Sequence, residues 1–397
     1  MKRTHSPSPF RQGLFSRDVS GAEVKEVQST EETLAKALAR RNMEEPVELV
    51  PDNGPQKSVE VLKNLLRHLM LLGDGQNPAG YLPSPLTGLT AEYLGNSFNS
   101  DSQITLCEHT HALCALEGGG MASAAFAKEP IKIWDLSNGG EAVLSLPGHE
   151  GGSVRSVCGL PDGGLASGSL DATISVWDWR GGKQRAAKTL SGHVGAVRCL
   201  CALDGGRLAS GSDDSTVRVW ELGTDTPRGP AQTLVGHKMR VSSVCEAGAG
   251  HLLASGSWDK TIRIWDLREE SGFELQQTLV GHRHLVLSVC WTVRGLASGS
   301  QDGTIRIWDL GADGKYECVQ TLTEHVLPVT CLCVLHDGRL ASGSHDGTVK
   351  VWELGTGGRW RSAETLQGHT KHVKTICALT CGRLASGSGD GTIRIWN

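Results

Sequence analysis

From about residue 102 to Asn397, apolar residues fall in short runs broken every few positions by Gly, Asp, Asn or Ser. The runs are too short for helices, and they are β-branched or alternate apolar with polar, so the pattern predicts strands. Their order repeats. An apolar run such as VRCLCAL leads to a turn with Asp-Gly, then to LASGS, then to a tight turn carrying Asp. A β-branched segment such as TIRIW follows, and a short KTL or QTL ends the unit. Each unit therefore predicts four short strands.

Tryptophan sets the period. Trp134, Trp177, Trp220, Trp265, Trp308, Trp352 and Trp396 stand 43 to 45 residues apart. A Gly-His pair precedes most of them by 26 to 28 residues, at His149, His193, His237, His282 and His369, while His325 follows Glu324. One small sheet cannot bury both of its faces, but seven stacked around an axis can. The expected fold is all-β: a seven-bladed β-propeller over 102–397. The last repeat ends after its third strand, and SQITLCEH at 102–109 matches the segment missing from it. This N-terminal strand is expected to pair into the C-terminal blade and close the ring.

These Gly-His to Trp-Asp units resemble WD repeats, and the resemblance covers about three quarters of the chain. It implies a propeller that serves as a platform for protein assembly. It also implies that a His, a Ser, an Asp and a Trp in each unit form a structural hydrogen-bonded tetrad. The sets are His149, Ser167, Asp171, Trp177; His193, Ser210, Asp214, Trp220; and His237, Ser255, Asp259, Trp265. They continue with His282, Ser298, Asp302, Trp308; His325, Ser342, Asp346, Trp352; and His369, Ser386, Asp390, Trp396. His, Ser and Asp together suggest a catalytic triad. Six copies in one ring make no chemical sense, so no catalytic residue is assigned. The first unit keeps His109, Ser123 and Trp134 but has Lys128 in place of Asp and Pro130 in place of Thr, which predicts a looser blade.

A propeller of this kind commonly docks partners on one end of its channel. Register places His111, Arg155, Arg198, Ser242, Leu287, Thr330 and Lys374 at the starts of the innermost strands there. Arg240 and His372 stand two residues before such starts, and Trp258 and His345 stand just before tetrad aspartates. Arg155, Arg198, Arg240, Trp258, His345, His372 and Lys374 are thus the candidate protein-binding residues. Arg and Trp are enriched at binding hot spots, and an arginine cluster suits carboxylate or phosphate. The expected ligand is an acidic or phosphorylated peptide. An alternative comes from WDWR at 177–180 and WDLR at 265–268. These resemble the motif by which WD-repeat substrate receptors contact the adaptor of cullin-based ubiquitin ligases, with Arg180 and Arg268 as the contact residues. A basic residue two before most of the tryptophans, as at Arg218 and Arg263, reads as blade packing.

Upstream, 1–28 reads as a disordered basic Ser/Pro tail, 29–72 as two helices and 73–101 as a linker. The second helix carries Val59, Leu62, Leu65, Leu66, Leu69 and Leu72 on one arc, so 58–72 is expected to pack on the ring or self-associate. The net charge of −4 provides no electrostatic footprint for nucleic acid, and no segment reaches the ~18 apolar residues of a membrane span. Seven of the twelve cysteines recur at one innermost-strand position: Cys114, Cys158, Cys201, Cys245, Cys290, Cys333 and Cys377. None has zinc-ligand spacing, and there is no P-loop or HExxH. The reading is a scaffold without metal or cofactor, cytoplasmic or nuclear, whose cysteines stay reduced.

Overall fold

In a computed structural model the alternating runs become antiparallel strands. It describes residues 104–397 except 108–109, 126–128, 137–139, 180–185, 224–228, 248–250, 269–271 and 381. The tail, helices and linker expected over 1–101 lie outside the described residues, as do His109, Lys128 and Arg180.

The first strand, β1 (Ile104–Cys107), belongs to the last blade. Blade 1 follows as β2 (Thr110–Ala115), β3 (Gly120–Ala125), β4 (Ile131–Asp135) and β5 (Glu141–Leu146). Blade 2 is β6 (Val154–Gly159), β7 (Leu165–Ser169), β8 (Thr173–Trp177) and β9 (Ala186–Ser191). Blade 3 is β10 (Val197–Leu203), β11 (Arg207–Ser212), β12 (Thr216–Glu221) and β13 (Gln232–Val235). Blade 4 is β14 (Val241–Glu246), β15 (Leu252–Ser257), β16 (Thr261–Asp266) and β17 (Leu275–Val280). Blade 5 is β18 (Val286–Thr292), β19 (Gly295–Ser300), β20 (Ile305–Leu310) and β21 (Tyr316–Leu322). Blade 6 is β22 (Val329–Val334), β23 (Leu340–Ser344), β24 (Val349–Leu354) and β25 (Trp360–Leu366). Blade 7 is β26 (Val373–Ala378), β27 (Leu384–Ser388) and β28 (Thr392–Trp396), completed by β1.

The ring closes where the sequence places the seam. Ile104 lies opposite Ile395, Thr105 opposite Arg394, Leu106 opposite Ile393 and Cys107 opposite Thr392. Around the channel each innermost strand packs on its two neighbours, and β2 meets both β6 and β26.

The LASGS strands explain how tightly the blades stack. β7, β23 and β27 are buried at every position because each lies inside its own sheet with a blade on either face. Their glycine marks the closest approach. A Cβ on Gly168 would stand 2.6 Å from Val197 Cγ1 of the next blade, and one on Gly343 would stand 2.6 Å from Val373 Cγ1. Small residues in the second strand thus let the next blade's opening valine fill the gap, to the density of a protein core.

Candidate protein-binding face

The rim residues owe their direction to an irregularity that recurs in every blade. Each innermost strand pairs with its neighbour at its first residue, skips the second and resumes at the third. The skipped residues are His111, Arg155, Arg198, Ser242, Leu287, Thr330 and Lys374. A β-bulge of this kind frees one residue from the ladder and re-aims its side chain. Spacing alone does not reveal it, because the extra residue is present in all seven repeats. The hydroxyls at two of these positions show what the bulge prefers structurally. Ser242 Oγ lies 3.0 Å from the Gly256 carbonyl and 2.6 Å from the Val286 carbonyl of the next blade. Thr330 Oγ1 does the same with Gly343 at 3.0 Å and Val373 at 2.6 Å. Blades 7, 1, 2 and 3 instead carry Lys374, His111, Arg155 and Arg198, side chains with no such hydroxyl.

Two further rows are held beside the bulges by backbone bonds. Trp258 N–H donates to Arg240 O at 3.0 Å, His345 N–H to Pro328 O at 2.9 Å and Gly389 N–H to His372 O at 2.9 Å. The first of these places the Arg240 guanidinium 3.9 Å above the Trp258 ring, a cation–π stack. Arg198 forms a two-bonded pair with Asp213, Nε to Oδ1 at 2.9 Å and Nη2 to Oδ2 at 2.7 Å, and Arg240 Nε lies 3.7 Å from the same carboxylate. His111, Arg155, Arg198, Arg240, Ser242 and Trp258 together line a pocket of ≈ 200 Å³. On its other side Lys374 Nζ lies 3.5 Å from His111 Nε2, and the His345 and His372 rings meet across the blade boundary with centroids 5.1 Å apart.

The electrostatics are those of crowded cations. Burial and then the neighbouring Arg198 hold Arg155 below its ordinary value, with Asp213 acting in the opposite direction. Burial, Arg155 and Lys371 likewise lower Lys374. An anion arriving here would relieve repulsion between like charges and gain charge-assisted hydrogen bonds.

The tetrad residues lie together in six blades, away from this pocket. In blade 3, His193 Nδ1 lies 2.7 Å from Asp214 Oδ2 and Nε2 lies 2.7 Å from Ser210 Oγ, which also accepts the Trp220 indole N–H at 2.8 Å. Thr216 Oγ1 donates to Asp214 at 2.7 Å. Blades 2, 4, 5, 6 and 7 repeat the arrangement through His149, His237, His282, His325 and His369. In each, the Ser Oγ that a triad would use as nucleophile lies at 0 % exposure beneath the indole. The geometry is that of a brace tying the turn to the strands. Blade 1 retains the Trp134 to Ser123 bond at 2.8 Å.

Arg268 lies on the opposite face, where it lines a cleft of ≈ 510 Å³ with Asp204, Arg207, Glu221 and His251. Its guanidinium is drawn back onto Asp266, Nε lying 3.0 Å from both carboxylate oxygens, although its side chain remains 57 % exposed. The innermost cysteines are free thiols, and burial pushes Cys158 up to about 11 and Cys377 up to about 12.

Comparison with known proteins agrees with this architecture. The WD domain, G-beta repeat family model matches residues 140–178, 184–221, 228–266, 273–309, 316–353 and 360–397. No curated protein matches the chain. Each matched segment begins on the outer strand of one blade and runs through the third strand of the next. Six matches thus take in the first three strands of blades 2 to 7, and of blade 1 only the outer strand, β5, lies within them. With matched repeats over more than half its length and a ring of seven four-stranded blades, the chain belongs to the WD-repeat family.

Proposed function

We propose that this protein is a non-enzymatic scaffold that captures acidic or phosphorylated peptides at the channel mouth bearing Arg155, Arg198, Arg240 and Trp258. WD-repeat propellers are in general protein-interaction platforms, and the mouth supplies a chemical preference. One observation carries the reading. Four consecutive blades aim Lys374, His111, Arg155 and Arg198 from bulges into one sector, and the next adds Arg240 stacked on Trp258. Trp258 offers an apolar face beside the cations, which suits a peptide better than a bare ion.

Reversing Arg155 and Arg198 together, R155E/R198E, is expected to abolish binding of a phosphoserine peptide measured by calorimetry, with the fold intact by circular dichroism. Unchanged affinity would remove this reading. The second reading, a substrate receptor of a cullin-based ubiquitin ligase, rests on Arg268, whose side chain is more than half exposed beside an open cleft. Pull-down of the purified adaptor, lost in R268A, tests it separately, because Arg268 lies on the opposite face.

A further inference from the structure

We propose that the His345–His372 side of the mouth is a second anion subsite that charges as the pH falls, so that ligand capture takes up protons. The inference rests on the acidic-ligand reading above and concerns a different part of the same rim. His372 packs its ring over Gly389, where a Cβ would stand 2.5 Å from Cε1. The missing side chain is what lets this imidazole lie flat against its own blade and face His345 of blade 6, whose ring centroid is 5.1 Å away. Lys374 and Lys371 approach it from its own segment, and Asp390 approaches from the adjoining turn. Lys374 in turn reaches His111 at 3.5 Å, and His111 lines the arginine pocket, so the two subsites are continuous.

By itself, His372 resists protonation. Burial, His345, Lys374 and Lys371 all hold His372 below the ordinary imidazole value, and only Asp390 opposes them. A ligand carboxylate beside the pair would add the missing negative charge and raise the His372 imidazole. An opposite charge within about 4–6 Å shifts a titrating group by about one unit or more, which corresponds to about tenfold tighter binding per proton taken up. The ligand this mouth fits best therefore carries two anionic groups, one for the arginines and one for the histidines.

The test uses the full chain and a six-residue glutamate peptide, because carboxylates stay ionised between pH 5.5 and 8 whereas phosphoserine itself takes up a proton near pH 6. Affinity is expected to rise by about tenfold or more from pH 8 to pH 5.5. Calorimetry in two non-phosphate buffers of different ionisation enthalpy should show net proton uptake at pH 6.5. In H345Q/H372Q, verified as folded by circular dichroism at each pH, both the rise and the uptake should disappear. Arginine-dependent binding without proton uptake would overturn this inference and leave the acidic-ligand reading standing. So would proton uptake that persists in H345Q/H372Q, because the protons would then be going elsewhere. Absence of binding at every pH would overturn both.

Discussion

Ser210 Oγ accepts a hydrogen bond from the Trp220 indole N–H and contacts His193, which in turn holds Asp214. A residue network of this kind gives the protein a readable pH dependence. Burial, ahead of their aspartate partners, holds His325 and His369 below the ordinary imidazole value. The unfolded chain therefore binds protons more readily once the pH falls below about 6.5, and stability declines from there. Among the tetrad carboxylates, burial alone would raise Asp214, Asp259 and Asp302. Bonds from the histidine and threonine side chains overcome it and hold all three below the usual range. Their contribution is present above about pH 3.9 and is lost as the pH falls through that region. Urea midpoints followed by tryptophan fluorescence should thus fall gently below pH 6.5 and steeply below pH 4. A flat profile from 7 to 5 would show that His325 and His369 are not held neutral. The tetrads were legible in the sequence because each role keeps one residue type, with Ser, Asp and Trp at one spacing and His within two residues of one. The partner of the arginine two before tryptophan was not. It was expected to serve blade packing, and it lies over the glycine of Gly-His in the linker that joins one blade to the next. A Cβ on Gly236 would collide with Arg263, and one on Gly192 would stand 2.7 Å from Arg218 Nη1. Blade 6 shows the same pairing by exception. With Lys350 in place of Arg, bound to Thr365 at 3.0 Å, the glycine position holds Glu324.

At the scale of the element, the innermost-strand bulge connects stability to binding. Where it holds Ser242 or Thr330, the hydroxyl bonds to the next blade; where it holds Arg155, a guanidinium lines the mouth. R155T would place at this bulge the hydroxyl that Thr330 uses, and is therefore expected to hold stability to within about 1.5 kcal/mol, the net worth of one hydrogen bond, while weakening binding of an acidic peptide. Loss of stability together with loss of binding would mean that Arg155 serves the blade rather than the mouth. Strand identity and order were legible from the period-two runs, and the rim positions were legible from register. The bulges were hidden because they change neither run length nor spacing. Also hidden were the glutamine clamps between outer strands. The Gln277 side chain bonds the Tyr316 backbone at 2.8 and 2.9 Å, and Gln320 bonds that of Trp360 at 2.6 and 2.9 Å. Each bridges two blades some forty residues apart in the chain, beyond the reach of any local pattern.

The whole molecule depends on a seam of four residues. Trp134, one period before Trp177, is what makes the seventh blade legible from sequence, where six matched repeats alone would leave the ring one blade short. The looser first blade expected from Lys128 rests on a residue outside those described. Closure itself rests on β1, whose Leu106 joins Leu113 and Trp134 of blade 1 to Cys377, Ile393 and Ile395 of blade 7 in one buried cluster. Loss of β1 would expose the edge of β28 and open the boundary at which Thr110 packs on Gly387. Thiol labelling can report this, because reactivity follows thiolate character and access. Burial holds Cys114 and Cys377 on either side of the boundary well above the ordinary thiol value, while Cys318 is exposed. A chain lacking residues 1–100 keeps β1 and is expected to label at Cys318 while protecting Cys114 and Cys377. One lacking residues 1–109 should label at all three, as mapped by mass spectrometry, and should unfold at lower denaturant with a broader transition. Equal protection of Cys114 and Cys377 in both chains would show that the circle holds without its fourth strand. Stability would then have to come from the packing of innermost strands alone, and the strand near Thr105 would be an ornament rather than a latch.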